Sequence, residues 1–286
     1  MKLKLTRRRF GRLAIASTAV AGLGYLANKT FAQTAPPLVV YGACPNPKAG
    51  EIILQSLNLK TGAVQDVTTA TLDVGEKLIG LTSLANGTPL LAVGPVRAGK
   101  NQNAATRLIF LSTSPRTLTL SGLDGQQYTL ESLLGLSDGS LIGLVTRKNN
   151  MPPVRLVDIN LNTGKVSFTD KVNLPEQERF SQLMQTPNGT VYTTAVRKLG
   201  NTRLVRLDLA QTRIVDLALL NFNGKVWNSG LNDMTSSPMS PMNELFALGA
   251  PRYAPFYNLY KVDTVTGAMT LLKEKWPVTK ITMLRA

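Results

Sequence analysis

Apolar positions along this chain fall into short runs of strand length, and the breaks between the runs are turn signals. The clearest stretch, residues 128–174, reads YTLESLLGLSDGSLIGLVTRKNNMPPVRLVDINLNTGKVSFTDKVNL. Its apolar runs are separated by Ser-Asp-Gly, by a loop rich in Lys, Asn and Pro, and by Asn-Thr-Gly. Gly and Asn accept the positive φ that tight hairpin turns demand, so the pattern predicts a four-stranded meander. The segment from Leu130 to Leu136 taken alone also fits a helix; the flanking turns favour a strand. One such meander cannot bury both of its faces, so it predicts neighbours of the same kind.

The neighbours are present. Copies run from Lys77 to Leu123 and from Arg179 to Leu220, with Gly87, Gly139 and Gly189 marking the first hairpin at spacings of 52 and 50. Arg107, Arg155 and Arg203 open the third strand at spacings of 48 and 48. A looser copy spans Val226 to Trp276, with its first hairpin swollen into the Met/Ser/Pro stretch from Thr235 to Met242. The last copy is split: Leu38 to Leu72 supplies its second, third and fourth strands, and Lys280 to Ala286 supplies the first. A period near fifty residues with a split copy resembles β-propellers, in which the C-terminal strand completes the N-terminal blade and closure removes exposed sheet edges. The resemblance is one of repeat pattern, without a Trp-Asp or double-Gly signature. It implies an all-β, five-bladed propeller of four-stranded antiparallel blades. Regular short strands also fit a sandwich or barrel.

Composition leaves room for this fold and adds an address. The chain has 286 residues, 43% of them hydrophobic, enough for one large β domain. Residues 1–32 contain Thr6-Arg7-Arg8-Arg9-Phe10-Gly11-Arg12, a mildly apolar run from Leu13 to Ala27, and Thr30-Phe31-Ala32 as a cleavage site. This resembles a twin-arginine export signal, with Arg7, Arg8 and Phe10 as its targeting residues and Gly11 departing from the motif. The apolar run is too short for the ~20 residues that span a bilayer. The expectation is a signal peptide at 1–32, a single propeller at 33–286 without a transmembrane segment, and export to the periplasm, a thylakoid lumen or beyond. Residues 1–32 carry seven cations and no acid, which leaves 25 cations against 17 acids, a net charge of +8. A single cysteine, Cys44, excludes an internal disulfide and reads as a small buried strand residue.

Candidate chemistry follows from that excess charge. In propellers the connections from the second to the third strand of each blade share a face with the inter-blade loops, usually the ligand-binding one. Here those connections carry Arg97 and Lys100, Arg147 and Lys148, Arg197 and Lys198, and Arg252, with Arg107, Arg155 and Arg203 beside them. Tyr253 and Phe256 are the aromatic candidates on the same face. A ring of cations favours an acidic protein surface or an anionic saccharide or other anionic ligand. Solvated surface charge is the plainer reading. Nucleic acid fits poorly, since few aromatics interleave with the basic positions. The expected partner-binding form is a monomer.

The innermost strands predict a polar channel column: Ile79/Gly80, Glu131/Ser132, Ser181/Gln182, Asn228/Ser229 and Thr282/Met283. Of these, Glu131, Ser181, Asn228 and Thr282 are the candidate channel-lining residues. The chain has no histidine, which excludes a Ser-His-Asp triad and His-based metal sites. The residual enzymatic alternative is a lactonase- or glycosidase-like hydrolase centred on Glu131, with Asp73, Glu76, Asp124, Glu176 or Glu178 as a second carboxylate. Calcium enters only under that alternative, held by oxygen ligands such as Glu131 and Asn228; otherwise no cofactor or metal is expected.

Overall fold

A computed structural model describes residues 38–46, 48–96, 105–112, 114–123, 128–147, 152–197, 200–236, 244–251 and 254–283. Its strands form five sheets arranged as propeller blades, each with a four-stranded antiparallel body. The second blade comprises β4 (Glu76–Ser83), β5 (Pro89–Pro95), β6 (Arg107–Phe110) and β7 (Arg116–Thr119). The third comprises β8 (Tyr128–Gly135), β9 (Leu141–Arg147), β10 (Arg155–Ile159) and β11 (Val166–Phe168). The fourth comprises β12 (Glu178–Gln185), β13 (Val191–Arg197), β14 (Thr202–Asp208) and β15 (Arg213–Leu219). The segment from Leu130 to Gly135 is therefore strand, its side chains alternating between two sheet faces.

The first blade is the split one. β22 (Lys280–Thr282) pairs with β1 (Val39–Asn46), aligning Tyr41 with Thr282 and Ala43 with Lys280, and β2 (Glu51–Asn58) and β3 (Val64–Thr71) follow outward. The innermost strands contact one another in the cyclic order β4, β8, β12, β18 (Asp233–Thr235), β22 and back to β4. The sheet thus closes as the repeat pattern predicts.

The fifth blade departs from expectation at its inner edge. Its outer three strands are β19 (Glu244–Gly249), β20 (Tyr257–Asp263) and β21 (Ala268–Trp276), and its innermost is β18 rather than the run beginning at Val226. Residues 221–226 instead fold as a short hairpin, β16 (Asn221–Phe222) and β17 (Lys225–Val226), added parallel to the outer strand β21. The reason is aromatic: Phe222, Trp227 and Tyr260 pack edge to face at 5.3–6.5 Å, and the Trp227 indole donates to the Gly230 carbonyl at 2.6 Å. That anchors the segment at the blade's outer part before the chain turns inward.

Apolar clusters lie between adjacent blades, each built from the facing sides of two sheets. Leu90, Leu108, Leu130, Leu141 and Val157, for example, join the second and third blades. Trp276 is fully buried between the fifth and first. Cys44 lies on strand β1 as expected, but half-buried.

Inner strands are also stitched by side chains. The Gly135 amide donates to Thr82 Oγ1 at 3.0 Å, Leu183 to Ser132 Oγ at 3.1 Å, and Met283 to Thr235 Oγ1 at 3.0 Å. At these three seams a strand's amide finds a hydroxyl on the preceding blade, as a close-packed ring of sheet edges favours.

Candidate functional site

Two regions carry the sequence candidates: one end of the propeller, and the channel. Every second strand ends, and every third strand begins, at the end where the innermost strands start. The ladder fixes this, since Tyr128 lies opposite Arg147, Glu178 opposite Arg197, and Glu76 opposite Pro95. The short hairpins and the turns joining third to fourth strands lie at the opposite end.

On the first of these ends, the arginines at the 48-residue spacing do two different things. Arg107 grips Glu76 with two nitrogens, Nε to Oε1 at 2.6 Å and Nη2 to Oε2, and reaches Asp73 at 3.2 Å and the Thr71 carbonyl at 3.4 Å. Burial acts to raise the Glu76 carboxyl, but the hydrogen bonds from Arg107 and the Asp73 amide outweigh it and hold the group below its ordinary value. The hydrogen bond to Glu76 in turn raises Arg107, against the effect of burial. Arg203 repeats the clamp on Glu178 at 2.5 Å and adds Asp216. Arg155 has no such acid across from it, because Tyr128 occupies the position of Glu76. Its guanidinium instead lies 5.8 Å from the Phe168 ring, which Tyr128 meets edge on at 5.1 Å.

At two of its three positions the repeated arginine is therefore a blade clamp between the third strand and the start of the first. Two of the three cations are offset by acids, and Glu76, Asp73 and Glu178 are committed to them rather than to a catalytic pair. Arg147 and Arg155 are exposed. Arg147 has no acidic partner among the described residues. Arg197 ends β13 on the same face. Phe256 is half-buried, with Lys275 Nζ 5.4 Å from its ring centre. Arg97, Lys100, Lys148, Lys198, Arg252 and Tyr253 lie outside the described residues, as do Arg7, Arg8 and Phe10.

The channel brings together a different set from the one expected. Glu131 is half-buried at a bulge in β8, and accepts a hydrogen bond from Thr146 Oγ1 at 2.9 Å. Ser181 shares a 3.0 Å hydroxyl contact with Thr194. Thr282 is buried on β22. Asn228 is exposed and outside the innermost strand, so it does not line the channel. The β16–β17 hairpin displaced the alignment by several residues, and Asp233 stands in the inner strand instead.

Asp233 and Lys280 are the charged channel residues that sequence reasoning missed. Asp233 Oδ1 accepts the Met234 amide at 3.0 Å and Oδ2 the Ile281 amide at 2.8 Å, tying the closing strand to the fifth blade. Lys280 Nζ donates to the Asn232 carbonyl at 2.9 Å. Burial pushes the Asp233 carboxyl up to about 6, against the pull of Lys280 and the two amides. Burial lowers Lys280, opposed by Asp233 and, through space, by Glu131. The signal was available in part: two opposite charges stand in short runs that otherwise read as core, DMT and KITM.

Among the described residues no group of three or more His, Cys, Asp or Glu is arranged to hold a metal ion. Among the described residues no helix is long and apolar enough to cross a membrane.

No family model matches the chain, and no curated protein sequence matches it. Among similar solved structures is a protein of unknown function from Bacteroides caccae, 13% identical, covering 87% of this chain and 100% of that one with a TM-score of 0.47. TolB from Acinetobacter baumannii is 16% identical over 82% of this chain and 52% of its own, at 0.46, so this chain spans about half of it. A protein of unknown function from Dyadobacter fermentans is 12% identical over 82% and 83%, at 0.49. Likeness at this level carries no functional argument, and the fold rests on the strand topology above.

Proposed function

We propose that this chain is an exported, non-catalytic β-propeller that binds an acidic protein surface or an anionic saccharide through the face where second strands end and third strands begin. The observation supporting this is the placement of exposed Arg147 and Arg155 and the strand end at Arg197 on one face. The connections that these strand ends bracket carry Arg97, Lys100, Lys148, Lys198 and Arg252 in the sequence. Cations gathered over one mouth focus a field that draws anions, and that attraction weakens with salt. Three of the five acids suited to pair with Glu131, at positions 73, 76 and 178, are held by arginines, which favours binding over the hydrolase alternative.

The test is binding of the full chain to heparin and to poly-glutamate at fixed salt. Arg147→Glu with Arg197→Glu weakens binding about tenfold or more, by placing acid where the anion docks. Reversing two exposed cations at the opposite end, Lys60→Glu with Lys165→Glu, changes it far less. Equal losses from the two pairs would mean that net charge alone is being read. Export is the other half of the reading: Arg7→Lys with Arg8→Lys retains the precursor inside the cell, and undiminished export refutes the twin-arginine assignment.

A further inference from the structure

A cavity of about 220 Å³ opens at the opposite end of the channel from the basic face, where all five innermost strands finish. Its wall includes Thr82 and Ser83 of β4, Leu134 of β8, Leu183 and Met184 of β12, Met234 and Thr235 of β18, and Thr282 and Met283 beside it. Among the described residues no lining residue is ionisable. An ion entering this space would shed water with no counter-charge to replace it, so the cavity selects against charge.

Three threonines on adjacent inner strands contribute to its polarity, beside Ser83, Ser137, Gln185, Thr186 and Ser236. Thr82 is 4% exposed, Thr235 7% and Thr282 5%. A hydroxyl offers one proton and two lone pairs. Thr82 and Thr235 each spend a lone pair on an amide of the neighbouring blade, Gly135 and Met283 respectively. Among the described residues neither donates its own proton to an acceptor, and the Thr282 hydroxyl has no hydrogen-bond partner. The seam that closes the ring therefore leaves three buried O–H donors unspent beside methionine and leucine side chains. Methionine adapts its shape to irregular apolar surfaces.

We infer that this mouth of the channel is a binding site for a small uncharged molecule that presents acceptor oxygens, carbonyl or ether, on an apolar ring or short chain. Size agrees: an apolar cavity of about 150 Å³ holds benzene, so this one holds a six-membered ring with one or two polar substituents. The site is independent of the basic face and stands or falls separately from it.

The experiment titrates the full chain, carrying 13C-methyl methionine, with cyclohexanone and separately with cyclohexanecarboxylate. Cyclohexanone shifts the Met184, Met234 and Met283 methyl resonances saturably, and the carboxylate of the same frame does not. Thr282→Val keeps the shape, removes a hydroxyl that holds no structural bond, and weakens cyclohexanone about fivefold, the worth of one neutral hydrogen bond. Absence of saturable shifts at the three methyls overturns the inference, as does equal binding of the carboxylate or an unchanged affinity in Thr282→Val.

Discussion

Asp233 joins the closing strand to the fifth blade at the cost of burying a carboxyl. Its folded pKa of about 6 lies above the ordinary ~3.9, so the native state holds this proton more tightly than the unfolded chain. Its contribution to stability is fully present below the unfolded value and is lost as pH rises through about 6. Asp233→Asn removes that dependence. Urea unfolding at pH 4 and pH 7 should show the difference between wild type and variant shifting toward the variant by about 2–3 kcal/mol as pH rises. A constant difference would mean that the carboxyl is not held protonated. At the residue scale the sequence was least informative: Arg107, Arg155 and Arg203 are visible as a repeat, but whether a guanidinium meets an acid, as at Glu76 and Glu178, or an aromatic ring, as at Phe168, depends on which residue opens a strand two ladders away. Repetition showed a shared position and could not show whether it served the scaffold or a ligand.

At the scale of elements, the turns between third and fourth strands were legible because their chemistry is local. Asn58, Asn160 and Asp263 each accept two backbone amides of the turn that follows, and Thr61, Thr163 and Thr266 each accept the amide two residues on. The glycines that complete these turns differ in surroundings. A Cβ at Gly267 would lie 2.1 Å from the Leu219 carbonyl oxygen and one at Gly164 2.1 Å from that of Thr119, whereas nothing lies within 4 Å at Gly62. All three have left-handed φ between 71° and 73°. Gly62→Ala should thus cost only the backbone term of about 1–2 kcal/mol, and Gly267→Ala clearly more, measured by urea unfolding. Equal costs would deny the blade-to-blade contact. The element that sequence misplaced, β18, is three residues long and follows a hairpin pinned by the Trp227 cluster. A strand so short has no alternation to read, and the anchor that displaced it is tertiary.

For the whole molecule, closure was readable from the sequence because it needs only a strand at each end of the chain with complementary apolar faces, and β22 pairs with β1 as required. Closure gives the molecule two distinct ends: a face bearing Arg147 and Arg155, and a mouth without ionisable lining. The central claim is that anions dock on the former. It is tested most directly by lysine acetylation of the full chain with and without bound heparin, read residue by residue by mass spectrometry. The account predicts protection of Lys148 and Lys198, with exposed Lys60 and Lys165 at the opposite end reacting unchanged. Protection of Lys60 and Lys165 instead, or of none of the four while heparin is bound, would contradict it.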